Sequence, residues 1–244
     1  GLYKAEQAGR PYLATQMEPI DARRMVPSFD EPRFKTPWTL TITTPPGNQV
    51  ITNGALKAQS SLNDGNIQFD FATTRAIQSY LVALAVGPYD LRDGGVLPPN
   101  NIRPQAVPFR GFAPAGKGDQ LEEAMAITDE MVTWQEAYFD YPYPYGKLDL
   151  IAVPDFAYGA MENAGAIIYR ESALLINQRT SLGRKRAIMT THAHELGHQW
   201  FGNLVTPKWW NDIWLNEAFA TWISYKTMDA VYPDTGFDLA PQRA

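Results

Sequence analysis

The chain has 244 residues, 45% of them hydrophobic, and a formal net charge of −5 at pH 7. Those values allow one large or two ordinary domains with a sizeable core. The acidic balance, interrupted only by the short Arg184-Lys185-Arg186 run, excludes nucleic acid as a partner, and no apolar run is long enough to span a bilayer. The absence of cysteine removes disulfides and thiolate ligands. It is compatible with a cytoplasmic, periplasmic or extracellular location.

Residues 1–92 read as a β domain. Trp38-Thr39-Leu40-Thr41-Ile42 and Ile67-Gln68-Phe69-Asp70-Phe71 alternate apolar with polar, the period of a half-buried strand. Pro45-Pro46-Gly47-Asn48 and Asn63-Asp64-Gly65-Asn66 are turn clusters, and Ser79 to Val86 is an apolar run suited to a buried strand. The Gly/Pro/Asn-rich residues 93–105 predict a linker. Residues 106–244 mix both element types. A strand from Ala106 to Phe112 precedes an amphipathic helix from Lys117 to Phe139, with Leu121, Met125, Thr128 and Val132 on one face. Tyr141-Pro142-Tyr143-Pro144 ends that helix, and Leu148 to Val153 and Ala166 to Tyr169 predict strands.

The next helix carries chemistry. It starts at a cap on Thr180 or Ser181 and contains His194-Glu195-Leu196-Gly197-His198. Four residues advance a helix by about 400°, so both imidazoles leave one face on successive turns and reach one tetrahedral ion. Glu195 sits about 100° round from His194, beside the metal and placed to take a proton from a metal-bound water. His192 points about 200° away from His194 and reads as an off-metal, second-face or solvent histidine. Gly202-Asn203 stops the helix, and another begins near Asn211 or Asp212. Glu217, nineteen positions after His198, lies in its second turn. Two histidines and one glutamate leave a fourth position for water, the mark of a catalytic zinc site. Five of the seven tryptophans lie between Trp200 and Trp222, where bulky rings exclude water or simply pack the core.

Between the predicted strands stands Gly159-Ala160-Met161-Glu162-Asn163, by itself a loop or strand edge with a solvated acid. Taken with the histidine motif it becomes specific. The chain resembles the zinc aminopeptidases of the aminopeptidase N family (gluzincins), to which leukotriene hydrolase also belongs. The resemblance rests on TQMEPIDARRMVPSFDEPRFK, VGPYD, YPYPYGKLDLIAVPDF, GAMEN, HELGHQWFGNLVTPKWW and WLNEAFATW, in the family's order from Thr15 to Trp222. It implies an α+β fold: a partial antiparallel β-sandwich domain followed by the front half of a thermolysin-like zinc metallopeptidase domain.

It also implies roles. His194, His198 and Glu217 match the ligands of one Zn2+ per chain, and Glu195 matches the general base. Glu162 matches the glutamate that holds the substrate's free α-amine, and Glu18 stands where the family has a second amine-binding residue. Gly159 and Ala160 match backbone lying along the bound peptide; Met161 borders the first side-chain pocket, and Gln16 borders it too. The physical logic agrees, because paired carboxylates give an ammonium charge-assisted hydrogen bonds and their distance from the metal selects one peptide bond.

Two departures stand out. The family's oxyanion-stabilising tyrosine is expected beyond Ala244; Tyr158 and Tyr169 are in the vicinity of the site by sequence, with nothing in the residues to make either a substitute. Ala218 replaces a frequent glycine, a change a helix tolerates. The expectation is therefore an internal piece of a larger zinc aminopeptidase, with peptides bearing a free N-terminus as partners and further strands before Gly1 and helices after Ala244. The alternatives are a catalytically incomplete zinc-binding fragment and a thermolysin-like endopeptidase, which would have no use for Glu162 and Glu18.

Overall fold

The computed structural model describes residues 1–233. Antiparallel sheets make up the first part of the chain. A four-stranded sheet runs Leu2–Gln7, Arg10–Thr15, Leu84–Gly87, Gln49–Thr52, and a three-stranded sheet runs Thr41–Thr44, Ile67–Phe71, Leu56–Ser61. Lys35–Thr36 pairs with Ile77–Gln78. The apolar run at 79–86 is buried as expected, but it is not one strand. Ser79–Leu81 forms a 3-10 turn before the strand resumes at Leu84, and the Ala83 amide is taken up by the buried Asn53 side chain.

The second part is built on a mixed five-stranded sheet in the order Tyr89–Leu97, Val107–Pro114, Leu148–Val153, Ala166–Arg170, Ala160–Met161. Its two inner pairings are parallel and its two outer pairings antiparallel. Leu148–Val153 is buried along its whole length because both faces are covered. Leu148, Leu150 and Ala152 face the helices, while Ile151 and Val153 face the β-rich part, the two-residue alternation of a strand. The fold is thus α+β, with one shared apolar layer (Tyr12, Tyr80, Ile151, Ile168) joining the parts.

The stretch read as a linker is partly sheet. The strand Tyr89–Leu97 passes through it with a bulge between Asp93 and Val96. Gly94 and Gly95 serve this bulge rather than flexibility: Gly95 has φ +71, and a Cβ on Gly94 would fall 2.6 Å from the Phe109 ring. The following loop is pinned by Arg103, 2% exposed, which bonds the Pro98 carbonyl and the carboxylates of Asp129 and Glu136.

Among the described residues, four α-helices complete the layer. The predicted helix over 117–139 is divided into a 3-10 turn Gly118–Leu121, α1 (Glu122–Ala126) and α2 (Thr128–Phe139). At the break, Thr128 donates its hydroxyl back to the Ala124 carbonyl, a bond that bends helices. Its expected face is correct, since Leu121, Met125, Thr128 and Val132 are all buried. Helix α3 (Leu182–His198) is capped by Ser181, whose hydroxyl accepts from the Arg184 amide. Helix α4 (Ile213–Val231) follows a 3-10 turn; Asp212 occupies the cap position without a side-chain bond.

Candidate active site

Helices α3 and α4 pack side by side, and two glycines permit the approach. A Cβ on Gly197 would meet Ile223 Cγ2 at 2.6 Å; one on Gly202 would meet Asn216 Oδ1 at 2.4 Å and His198 Nδ1 at 3.0 Å. The result is a convergence of three side chains. His194 Nε2 and His198 Nε2 lie 3.0 Å apart, and the two Glu217 oxygens lie 3.3 Å from His194 and 3.7 Å from His198. His198 Nδ1 is 3.1 Å from the Phe201 carbonyl. A carbonyl can only accept, so Nδ1 carries the proton and Nε2 is left to face the cluster. Thr221 on α4 reaches His194 Nδ1 at 3.4 Å.

The chemistry of this donor set fits a zinc ion: two imidazole nitrogens and a carboxylate all within 4.8 Å of one another. The surroundings fit it as well. Burial by itself would lower His198, yet the neighbouring Glu162, Glu217 and Glu195 more than reverse this and lift it to about 10. Burial would raise Glu217, but hydrogen bonds from both imidazoles hold it well below the usual carboxylate range. Carboxyl groups outnumber imidazoles in this cluster, and a divalent cation would offset their mutual repulsion.

These groups line a cleft of about 750 Å3 together with Gln16, Glu18, Tyr158, Gly159, Ala160, Glu162 and Glu195. Glu195 is 5% exposed with Oε2 unpartnered, and burial raises its carboxyl well above the usual value. Glu162 is 3% exposed with Oε1 unpartnered; burial raises it too, against the pull of His198. Glu18 arrives from the β-rich part, just after the strand Arg10–Thr15. Burial, with repulsion from Glu162 and Glu217, raises it to about 8. Its carboxylate lies within 4.8 Å of those of Glu162 and Glu217.

The edge strand Ala160–Met161 carries the cleft wall. Its side chains alternate, so Ala160 lines the cleft while Met161, 1% exposed, packs into the core against the β-rich part. Met161, expected to border a side-chain pocket, is not among the residues that line this cleft. His192 is off the metal cluster as expected, but it is not in solvent. It is fully buried between Tyr169 Oη at 2.8 Å and Thr128 Oγ1 at 2.9 Å. Thr128 already donates to Ala124, so it accepts from His192 Nε2, and Tyr169 donates to Nδ1. Burial pushes the imidazole down to about 3. Tyr169 is thereby committed and, fully buried, does not line the cleft, whereas Tyr158 is 55% exposed in the cleft wall. Of the five clustered tryptophans only Trp200 is fully buried, while Trp209, Trp214 and Trp222 are each more than 40% exposed, so the rings do not close over the cluster.

The chain is similar to known proteins along most of its length. The profile of the Peptidase M1 N-terminal domain matches residues 1–81, and that of the Peptidase family M1 domain matches residues 123–241. The chain is 40% identical to a leucyl aminopeptidase of Saccharolobus solfataricus over 97% of its own length and 29% of that protein's. It is 38% identical to a probable aminopeptidase 1 of Sulfurisphaera tokodaii, covering 96% of this chain and 28% of the relative. It is 39% identical to aminopeptidase M1 of Arabidopsis thaliana, covering 90% and 24%. The chain thus spans less than a third of the curated relatives it matches. The two profiles, one for each part of the chain, are of the same family and together match most of its length, and the chain belongs to peptidase family M1.

Proposed function

We propose that this chain carries the metal centre and substrate anchor of a zinc-dependent aminopeptidase, which removes residues from the free N-terminus of peptides. The observation that carries it is the pairing of two features in one cleft: the His194, His198, Glu217 donor set, and the buried, unpartnered Glu162 oxygen beside Glu18. The aminopeptidase names of the relatives support the same activity.

His194, His198 and Glu217 would hold the zinc. When bound, the ion supplies a Lewis acid for the scissile carbonyl and lowers the pKa of a water toward neutrality. Glu162 and Glu18 receive the substrate's ammonium, whose charge relieves the repulsion and burial that raise both carboxyls. Gly159 and Ala160 offer backbone beside the bound peptide. Glu195 has a raised proton affinity suited to taking a proton from the attacking water and returning it to the leaving amine. In the full-length protein, Glu195→Gln should retain zinc while hydrolysis falls by about 10²–10⁴-fold. Activity near that of the unmodified protein in this variant would refute the assignment.

A further inference from the structure

The carbonyl of Glu162 is gripped by two buried amides. Gln199 Nε2 donates to it at 3.0 Å and Asn203 Nδ2 at 2.8 Å. Gln199 is the first residue past α3 and is fully buried; Asn203, 2% exposed, sits in the turn that follows. Gln199 Nε2 also faces the carbonyl of Glu195 at 3.3 Å, and its Oε1 accepts from the Gly165 amide at 3.1 Å. One amide side chain therefore ties the loop bearing Glu162, at both 162 and 165, to the turn of α3 that bears Glu195.

The β-rich part holds the other side of this clasp. Lys35 Nζ donates to the carbonyls of Asn203 and Leu204, and Tyr80 Oη to that of Gly202. Asn163, next to Glu162, donates to the Leu81 carbonyl. Neither Gln199 nor Asn203 lines the cleft, so neither touches substrate there.

We propose that Gln199 and Asn203 are positioning residues: they set the offset between the Glu162 carboxylate and the helix carrying His194, Glu195 and His198, and so set which peptide bond is presented for cleavage. An extended peptide advances at most about 3.3–3.6 Å per residue, so a displacement of a fraction of that step misplaces the first carbonyl. The proposal rests on Glu162 as the amine anchor.

The test uses the full-length protein, an aminoacyl anilide, and a desamino analogue with hydrogen in place of the amine. Gln199→Met keeps the side-chain length and removes both donor and acceptor. It should lower kcat/KM for the amine substrate on the order of 100-fold, with zinc content unchanged and hydrolysis of the desamino analogue unaffected. The preference for the free amine collapses. Asn203→Ala, which removes the second donor without altering α3, should shift the preference in the same direction. In chelator-treated protein both variants should bind an amino-acid amide more weakly by calorimetry. A lower melting temperature with the amine preference intact would show a purely structural role and overturn the proposal. No amine preference in the unmodified protein would overturn the anchoring role of Glu162, and this proposal with it.

Discussion

Gly197 on α3 faces Ile223 on α4 so closely that a Cβ at position 197 would fall 2.6 Å from Ile223 Cγ2. That contact sets how near α4 comes, and α4 carries Glu217 to the two imidazoles. Gly197→Ala should push the helices apart at an overpacking cost of about 1–3 kcal/mol and weaken zinc binding, because Glu217 moves away from His194 and His198. Thermal unfolding and a competitive zinc titration check both effects. Unchanged zinc affinity would show that the helix spacing does not govern the cluster.

His192 sits on the same helix as His194 and His198, the proposed zinc ligands, and has a different task. Bonded by Tyr169 and Thr128 inside the core, it joins the sheet and α2 to α3. His192→Phe should cost about 1–3 kcal/mol by leaving the Tyr169 hydroxyl buried without its acceptor, while zinc stoichiometry is preserved. A loss of zinc without a loss of stability would contradict this division of labour.

The buried phenols fix the alkaline limit of stability. Burial raises Tyr89, Tyr143 and Tyr169 well above the usual value of 10.0. The folded state then keeps protons that the unfolded state releases, so this stability is complete below the unfolded pKa and is lost as pH rises above it. Tyrosinate absorbance and loss of helical circular dichroism should therefore rise together above about pH 10. Titration of these phenols in a protein that stays folded would contradict the burial.

Glu217→Ala should remove one of the three donors and raise the zinc dissociation constant, with the fold intact because Glu217 is only partly buried. Equilibrium dialysis against zinc checks the loss, and circular dichroism checks the fold. Zinc binding equal to that of the unmodified protein would remove Glu217 from the ligand set.

How much of this was readable from residues alone follows from distance along the chain. His194 and His198 are four apart on one helix, so their convergence is local geometry. Glu217 is on another helix, so no local geometry fixes its distance from the pair; the three protein ligands of a catalytic zinc site and the family likeness point to it. The burial of His192 depends on Thr128, 64 positions away, and on Tyr169, 23 positions away, which no local pattern connects. Gly94 and Gly95 look like linker glycines until the Phe109 ring is seen pressed against one of them. Strand alternation turns Ala160 to the cleft and Met161 into the core, a division that the GAMEN motif alone does not display. The clasp of Gln199 and Asn203 on Glu162 spans 37 and 41 positions, and only the folded chain reveals it.

The most direct test of the central claim compares one peptide with its N-acetylated form as substrates of the full-length, zinc-loaded protein. Acetylation removes the ammonium that Glu162 and Glu18 are proposed to hold and leaves the scissile bonds unchanged. Release of the first residue from the free peptide, with no cleavage of the acetylated one, is the predicted result. Equal cleavage of both, or cleavage at an internal bond, would contradict it.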